Sequence, residues 1–218
     1  MGRTSVVSSN QRTIHRQLHD LVLKHQRFPY RRPLAPFSRA QFDRIDQIVR
    51  AAECPLILDS GCGVGESTRA LARMFPTRVV IGIDKSHTRI ERGKSGEHLP
   101  NLQLLRGDCV DFWRLAAEAK WPIERHYLLY PNPWPKAKHL QRRWHGHPVF
   151  GSLVTLGGVL ELRSNWEIYV AEFAAALKIV TDQLATVERL IPCEPLTPFE
   201  RKYSASGHPL FRLRFNPD

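Results

Sequence analysis

Short apolar runs alternate with stretches of helical periodicity along most of the chain. The apolar runs have the length of buried strands and end at polar or glycine-rich residues. They cover residues 55–58, 79–83, 102–105, 127–130 and 159–162. Stretches able to form helices separate them, among them residues 67–75 and 166–180. This alternation predicts an α/β fold with a doubly wound, mostly parallel, Rossmann-like sheet whose ligands bind at the carboxyl ends of the strands.

The two ends of the chain depart from this alternation. Residues 185–190 and 210–215 have the pattern of two strands joined by a loop, which predicts an antiparallel pair at the sheet edge. Ser38 and Gln41 have the spacing of a capping box before a helix. Residues 1–37 are basic and too poor in apolar residues to form a core alone, although a short amphipathic helix fits residues 14–23. We therefore expect a basic, flexible N-terminal arm over residues 1–37 and one domain over residues 38–218.

The composition narrows the class of protein. Of 218 residues, 42% are apolar and 24% charged, as in ordinary globular domains. The 32 Lys and Arg residues against 21 Asp and Glu give a net charge of +11, which favours a polyanionic partner such as nucleic acid. The four cysteines have neither CxxC nor zinc-ligand spacing, so we expect no metal, no disulfide framework and a reducing cytoplasm. No run reaches the roughly 18 apolar residues of a membrane span, and we expect a monomer without membrane attachment.

A glycine-rich turn follows the first apolar run and opens a helix. Gly61, Gly63 and Gly65 occupy alternate positions, so the backbone can pass close to a ligand where a Cβ would collide. The spacing differs from the G-x-G-x-x-G of dinucleotide sites, and no Gly-Lys-Ser/Thr of a phosphate-binding loop follows. Asp59, beside the turn, would repel a pyrophosphate and attract an ammonium group. S-adenosylmethionine therefore fits this turn better than NAD.

Acidic residues also follow the next two apolar runs. Asp84 can accept hydrogen bonds from both hydroxyls of a ribose, and Asp108 lies near the expected position of an adenine amino group. Acids after three successive strands have the layout of an adenosyl pocket. The alternative is that these residues cap the helices that follow, which Asp commonly does.

The most unusual stretch begins at Tyr130 and contains three prolines, followed by a cluster of cationic and aromatic side chains. Proline fixes its own φ and biases the preceding residue toward extended backbone, so Tyr130, Asn132 and Trp134 are predicted to lie outside any helix. Trp134 would either stack on a target base or anchor the loop by packing. The pattern predicts a strand that delivers a rigid, basic loop to a binding site.

Three sequence blocks resemble the bacterial tRNA (guanine-N7)-methyltransferase family, over about residues 54–215. Residues 130–136 and the basic cluster after them are similar to its Phe-Pro-Asp-Pro-Trp-x-Lys block, which a His and basic residues follow. Residues 164–169 are similar to its Thr-Asp-Trp block, and residues 197–200 to its C-terminal Thr-x-Phe-Glu block. The resemblance implies a class I methyltransferase that transfers a methyl group from S-adenosylmethionine to N7 of a guanosine in tRNA.

The resemblance also implies which residues meet each ligand. S-adenosylmethionine would be surrounded by Asp59, Asp84, Asp108 and Asn132, beside Gly61, Gly63 and Gly65. The guanosine would be faced by Lys136, Asn165, Thr197, Phe199 and Glu200. The tRNA backbone would lie on Lys138, His139, Arg142 and Arg143. Asn132 is the candidate catalytic residue.

Two positions depart from the family, since Asn132 and Asn165 stand where it has Asp. N7 of guanine carries a lone pair and no proton, so methylation needs no general base and depends mainly on alignment. An amide stabilises the cationic product less well than a carboxylate, and we expect weakened or redirected activity. Two alternatives stay open. One is a non-catalytic RNA-binding relative, and the other is methylation of an exocyclic amine, because Asn132-Pro133-Trp134 is similar to the Asn-Pro-Pro-aromatic loop of amino-methyltransferases.

Overall fold

The computed structural model describes residues 6–28 and 30–217, which contain seven strands and eight α-helices. The strands are β1 Leu56–Ser60, β2 Val79–Asp84, β3 Leu102–Arg106, β4 Ile123–Leu129, β5 Val159–Ser164, β6 Thr186–Leu190 and β7 Leu210–Phe215. The helices are α1 Leu18–Arg27, α2 Pro36–Ala51, α3 Glu66–Met74, α4 His87–Lys94, α5 Cys109–Glu118, α6 Phe150–Thr155, α7 Glu167–Thr181 and α8 Pro198–Ala205. Two 3₁₀ helices, Ala137–Arg142 and Trp144–Gly146, lie between β4 and α6.

The strands form one sheet in the order β3-β2-β1-β4-β5-β7-β6, in which β7 runs antiparallel to both neighbours. The predicted fold class, with its antiparallel pair at the C-terminal edge, is confirmed. Strand β1 is buried along its whole length because helices cover both faces, which explains why it is a continuous apolar run ending in polar residues. The strand order reverses between β1 and β4, and the carboxyl ends of strands diverge there to leave a crevice.

The N-terminal segment packs on the domain. Leu18 and Val22, one turn apart on α1, are 1% and 2% exposed within the main core, and α1 lies against α7. Within residues 6–28 and 30–37 the predicted arm therefore contacts the domain, its flexibility stays a prediction, and residues 1–5 lie outside the described part. Helix α1 is basic on one face and apolar on the other. The net charge of the whole segment therefore does not reveal the apolar face that packs on the domain.

The predicted capping box at Ser38 is also wrong. Helix α2 begins at Pro36, with Ala35 as its N-cap, and proline is favoured in the first turn because its missing N–H needs no partner there. The Ser38 hydroxyl instead accepts a hydrogen bond from the backbone N–H of Asp108, at 3.2 Å. Ser38 thus joins α2 to the loop that follows β3.

A buried ion pair connects the proline-rich loop with α7. Nη1 of Arg143 lies 2.5 Å from Oε2 of Glu172, and both side chains are completely buried. Arg143 also donates to the backbone carbonyls of Trp134 and Lys136, at 3.2 and 3.3 Å. Glu172 accepts a further hydrogen bond from Nε2 of His145, at 2.9 Å. One salt bridge therefore fixes the loop backbone to a core helix.

The same carboxylate also holds the N-terminal segment. Oε1 of Glu172 accepts from the side-chain amide of Gln11, at 2.6 Å, and from the backbone N–H of His15, at 2.8 Å. Burial by itself would raise the pKa of Glu172, but the hydrogen bond and charge of His145 and the charge of Arg143 outweigh it and lower this pKa to about 2. The ionised form is therefore the one that the fold requires.

None of the helices in the described ranges combines the length and the apolar character needed to cross a bilayer.

Replacing Glu172 by Gln tests the ion pair. The amide keeps the size of the side chain and leaves the Arg143 guanidinium buried without a counter-charge, so the free energy of unfolding should fall by about 3–5 kcal/mol in urea denaturation. The loss should shrink as the pH falls from 4.5 toward 2, because the wild-type carboxylate becomes protonated in both states.

The matched control is Glu167→Gln, in the exposed first turn of the same helix, with an expected change below about 1 kcal/mol. Equal effects of the two substitutions would contradict the structural role of the pair.

Candidate active site

A cavity of about 620 Å³ opens at the carboxyl ends of the central strands, where the strand order reverses. The glycine turn after β1 and the end of β2 line one side, and the proline loop after β4 and the start of α8 line the other. Of the predicted site residues, the lining contains Gly61, Gly63, Asp84, Asn132, Asn165, Thr197 and Phe199. The topology thus brings together residues that are more than 130 positions apart in the chain.

The three glycines of the turn have different roles. Gly61, Gly63 and Gly65 have φ of 81°, 61° and 77°, in the left-handed region that favours glycine. A Cβ on Gly61 or Gly63 would meet no atom within 4 Å, so both present bare backbone to open space beside the cavity. A Cβ on Gly65 would lie 2.7 Å from the Leu104 side chain, so Gly65 lets α3 pack on β3. This wall fits a ligand that approaches the backbone closely.

Asp84 places a carboxylate at the cavity wall. Its Oδ2 accepts from the Gly63 N–H at 3.0 Å, and its Oδ1 accepts from the Ser86 N–H at 2.8 Å. Nη1 of Arg89 lies 3.6 Å from Oδ2. Two backbone hydrogen bonds therefore fix the orientation of this carboxylate, which is the kind of acceptor that ribose hydroxyls need.

Asp59 lies beneath the turn and does not line the cavity. Asp59 is 1% exposed, and its Oδ2 accepts hydrogen bonds from the hydroxyls of Ser67 and Thr68, at 2.6 and 2.7 Å. Burial raises the pKa of Asp59 to about 6; the two hydroxyls lower it and the charge of Asp84 raises it. Asp59 holds the first turn of α3 in place, and its contact with a ligand stays a prediction.

Asp108 is the N-cap of α5. Its Oδ1 accepts from the Val110 N–H at 3.0 Å, while Oδ2 accepts from Arg32 and Lys85, both at 3.2 Å. The helix-capping alternative therefore describes its side chain, which lies outside the cavity lining. Burial would raise the pKa of Asp108, but these hydrogen bonds together lower it. Contact of Asp108 with an adenine stays a prediction that requires one of these partners to move.

The proline loop leaves β4 through a left-handed residue. Tyr130 and Trp134 lie outside any helix, as predicted, but their φ of 54° and 44° is left-handed and departs from the extended backbone that a following proline favours. Such a conformation costs a non-glycine residue of the order of 1–3 kcal/mol and persists where neighbours hold it. Tyr130 donates its N–H to the Arg163 carbonyl at 2.9 Å and its hydroxyl to Glu200 at 3.0 Å. Tertiary hydrogen bonds thus set the course of the loop.

Asn132 is exposed at the cavity edge. Its Oδ1 accepts from the Trp134 N–H at 3.3 Å, which stabilises the turn between the prolines. Trp134 itself packs within the loop, with the Arg142 guanidinium 4.8 Å from its ring centre and the His139 ring against its face at 5.7 Å. Of the two roles considered for Trp134, the structure shows packing.

The basic cluster divides into surface and core residues. Lys136, Lys138 and Arg142 are exposed and His139 is partly exposed, so these four can reach a polyanion. Arg143 is completely buried against Glu172, so its contact with the tRNA backbone stays a prediction that requires the side chain to leave this pair. The five N–H donors of its guanidinium all have partners here, namely Glu172, Gln11 and the carbonyls of Trp134 and Lys136.

The C-terminal block supplies the last wall of the cavity. The Thr197 hydroxyl caps α8 by accepting from the Glu200 N–H at 2.9 Å, and the Phe199 ring is 55% exposed. Glu200 is completely buried, with its carboxylate accepting from Arg163 at 2.9 Å and from Tyr130. Glu200 thereby joins α8 to the proline loop, and its contact with the guanosine stays a prediction.

Comparison with known proteins identifies the family. A family model described as "Putative methyltransferase" matches residues 53–213. A tRNA (guanine-N(7)-)-methyltransferase from Leifsonia xyli is 30% identical over 174 residues, which cover 75% of this chain and 76% of that protein. The chain belongs to this methyltransferase family. A protein of the same name from Stutzerimonas stutzeri is 29% identical over 74% of this chain and 72% of its own length. The resemblance found in the three sequence blocks is confirmed.

Solved structures share the fold of this methyltransferase. The 16S rRNA methyltransferase KamB superposes with a TM-score of 0.57 and 20% identity, covering 93% of this chain and 97% of that chain. A 16S rRNA (adenine(1408)-N(1))-methyltransferase from Catenulisporales acidiphilia superposes with a TM-score of 0.55 and 18% identity, covering 80% and 91%. At these identities the likeness concerns the fold alone.

Sequence reasoning missed several residues of the methyltransferase cavity. Arg89 and Arg92 line it from one face of α4, three positions apart, directly after Asp84. Tyr203 lines it from α8, four positions after Phe199. Helical spacing next to a predicted site residue was the signal that could have found them. In the part of the chain that the structure describes, no group of three or more His, Cys, Asp and Glu side chains could hold a metal ion.

Replacing Asp59 by Asn tests its burial in the methyltransferase. Asn keeps an oxygen for the two hydroxyls but cannot ionise. Because the pKa is raised from 3.8 to about 6 in the folded state, the native protein binds more protons here than the unfolded chain, and this contribution to stability is lost as the pH rises through that window. Relative to the variant, the wild type should lose about 2 kcal/mol of unfolding free energy between pH 4 and pH 6.

Urea denaturation of both proteins at a series of pH values measures this difference. Asp20→Asn, at a position of α1 whose side chain is 89% exposed, is the control and should change the free energy of unfolding by less than about 0.5 kcal/mol. A difference between wild type and the Asp59 variant that does not change with pH would show that the pKa of this carboxyl is not raised in the folded protein.

Proposed function

We propose that this methyltransferase transfers the methyl group of S-adenosylmethionine to N7 of a guanosine in tRNA. One observation carries the proposal: a single cavity joins the glycine turn and Asp84 to Asn132 and the C-terminal block, in a chain that shares three quarters of its length with proteins named tRNA (guanine-N(7)-)-methyltransferase. The first wall, formed by the glycine turn and Asp84, offers close approach to the backbone and a carboxylate acceptor, which suit an adenosyl ligand. The second wall has the family blocks that the resemblance connects with guanosine.

The chemistry of the cavity suits alkylation of a ring nitrogen. S-adenosylmethionine supplies an electrophilic methyl group, and guanine N7 attacks with its own lone pair. No proton has to be removed first, so the residues need only hold the base in line and exclude water. In keeping with this, no histidine among the described residues lines the cavity. The backbone of the turn and Asp84 would hold the adenosyl group, and Asn132 would lie at the junction of the two ligands.

The exposed basic residues beside the cavity would position the RNA. Lys136, Lys138 and Arg142 lie on the outer side of the proline loop, where the Arg143 ion pair fixes the backbone. Contacts with phosphates set the register of a nucleic acid without reading its sequence, and they account for a large part of affinity at low salt. We propose tRNA as the partner, and a monomer acting in the cytoplasm as the working form.

Nucleoside analysis after reaction tests the proposed function. The purified protein would be incubated with methyl-labelled S-adenosylmethionine and unmodified tRNA transcripts, and the digested RNA analysed by mass spectrometry. We expect labelled 7-methylguanosine, and Asp84→Asn should weaken S-adenosylmethionine binding measured by calorimetry. RNA binding without label would favour a non-catalytic RNA-binding relative, which Asn132 and Asn165 in the cavity suggest. Label on an exocyclic amine would favour amino-methyl transfer.

Replacing Asn132 by Asp should raise kcat by about 10-fold. The carboxylate would stabilise the positive charge that develops on the guanine ring, which the neutral amide does only in part. An Asp oxygen can still accept from the Trp134 N–H, so the turn is kept. Single-turnover methylation of a tRNA transcript measures the effect. Asn132→Ala, which lacks both the charge and the acceptor, should lower kcat, and an Asp variant slower than the wild type would contradict the electrostatic argument.

A further inference from the structure

The two polar atoms of the Asn165 side-chain amide have different surroundings, and one of them is left for a ligand in the cavity. It follows β5, lines the cavity and is 8% exposed. Its Nδ2 lies 3.2 Å from Nδ1 of His208, and because an amide nitrogen only donates, Nδ1 is the acceptor in this hydrogen bond. Within the described residues Oδ1 receives no hydrogen bond. The carbonyl oxygen is therefore the amide atom available to a ligand.

The His208 ring is itself held in position. It stacks on the Tyr203 ring with centroids 5.3 Å apart and planes at 16°. The backbone N–H of His208 also donates to the backbone carbonyl of Tyr203, at 3.0 Å. Tyr203 in turn contacts the rings of Phe199 and Tyr130, at 6.2 and 5.6 Å. A buried imidazole packed in this way cannot rotate freely, and its Nδ1 stays directed at Asn165.

We propose that His208 is a positioning residue that orients the Asn165 amide, and that the Asn165 oxygen thereby selects guanine. The inference rests on the proposed function. Guanine presents two donors on one edge, N1–H and the 2-amino group, and one carbonyl oxygen can accept from both. N7 lies on the opposite side of the base and remains free for methylation. Adenine has an acceptor at N1, which would face the Asn165 oxygen without a proton between them.

Rotation of the Asn165 side-chain amide, so that its nitrogen and oxygen exchange places, would reverse this selection. If Nδ2 faced the cavity, two sets of donors would meet and the guanine edge would be left unpaired. A site built to hydrogen-bond a group typically rejects an analogue that lacks it, because its own polar atom then stays buried without a partner. An Asn can be turned without steric cost, whereas a carboxylate offers oxygens in both orientations. A chain with Asn165 therefore needs a neighbour such as His208 to fix the orientation.

Substitutions at His208 separate orientation from packing. Phe keeps a ring that can stack on Tyr203 but has no acceptor for the Asn165 amide. Asn loses the stack but places an oxygen near the position of Nδ1. The readout is the ratio of kcat/KM for two tRNA transcripts that carry guanosine or inosine at the methylated position. Inosine keeps N7 and N1–H and lacks only the 2-amino group.

The wild type should prefer guanosine by about 10-fold. His208→Phe should bring the ratio close to 1, mainly by lowering kcat/KM for guanosine, and His208→Asn should restore most of the preference. A ratio unchanged in His208→Phe would overturn the inference. Should His208→Phe fail to fold, Asn165→Ala tests the acceptor that His208 is proposed to orient: its loss should abolish the preference, and a retained preference would overturn the proposal.

The experiment also distinguishes this inference from the proposed function. The methylated position is first mapped with the wild-type protein. Absence of 7-methylguanosine from every tRNA would overturn both. Formation of 7-methylguanosine together with an unaltered ratio in His208→Phe would leave the proposed function standing and remove only the role of His208.

Discussion

The buried ion pair between Arg143 and Glu172 is the constraint on which the second wall of the cavity depends. Removing two charges from water is costly, and the attraction between them offsets the cost only when their remaining hydrogen-bonding groups are also satisfied. Here Arg143 donates to two loop carbonyls, and Glu172 accepts from His145 and the N-terminal segment. The pair can therefore hold Trp134 in a left-handed conformation that the loop would not keep alone.

A second buried network fixes the other end of the proline loop, where it leaves β4. Glu200 joins the start of α8 to Arg163 on β5 and to the hydroxyl of Tyr130. Asp59 and Asp108 likewise secure helices beside the glycine turn. Several acids that the family resemblance connects with ligands thus serve the shape of the cavity in this chain. The cavity lining itself consists, among the predicted site residues, mainly of neutral groups, namely the glycine backbone and the amides of Asn132 and Asn165, together with Asp84.

This distribution of charge agrees with the chemistry proposed for the site. Methylation at a ring nitrogen requires alignment, and alignment is what rigid walls provide. Compared with Asp at these positions, the two Asn residues would weaken the electrostatic stabilisation of the cationic product and affect which base the site selects. In both cases a neighbour supports the amide: the Trp134 N–H for Asn132 and His208 for Asn165.

The sequence by itself determined the sheet, the glycine turn and the family, because buried strands require apolar runs and left-handed turns require glycine. Only the tertiary structure decided which charged residues face solvent. Arg142 and Arg143 are adjacent and chemically identical, yet one is exposed and the other is buried, because a carboxylate 29 positions away lies under only one of them. For the same reason the basic N-terminal segment proved to be part of the core: Leu18 and Val22 meet α7 only once the fold has formed, and local sequence does not encode such a contact.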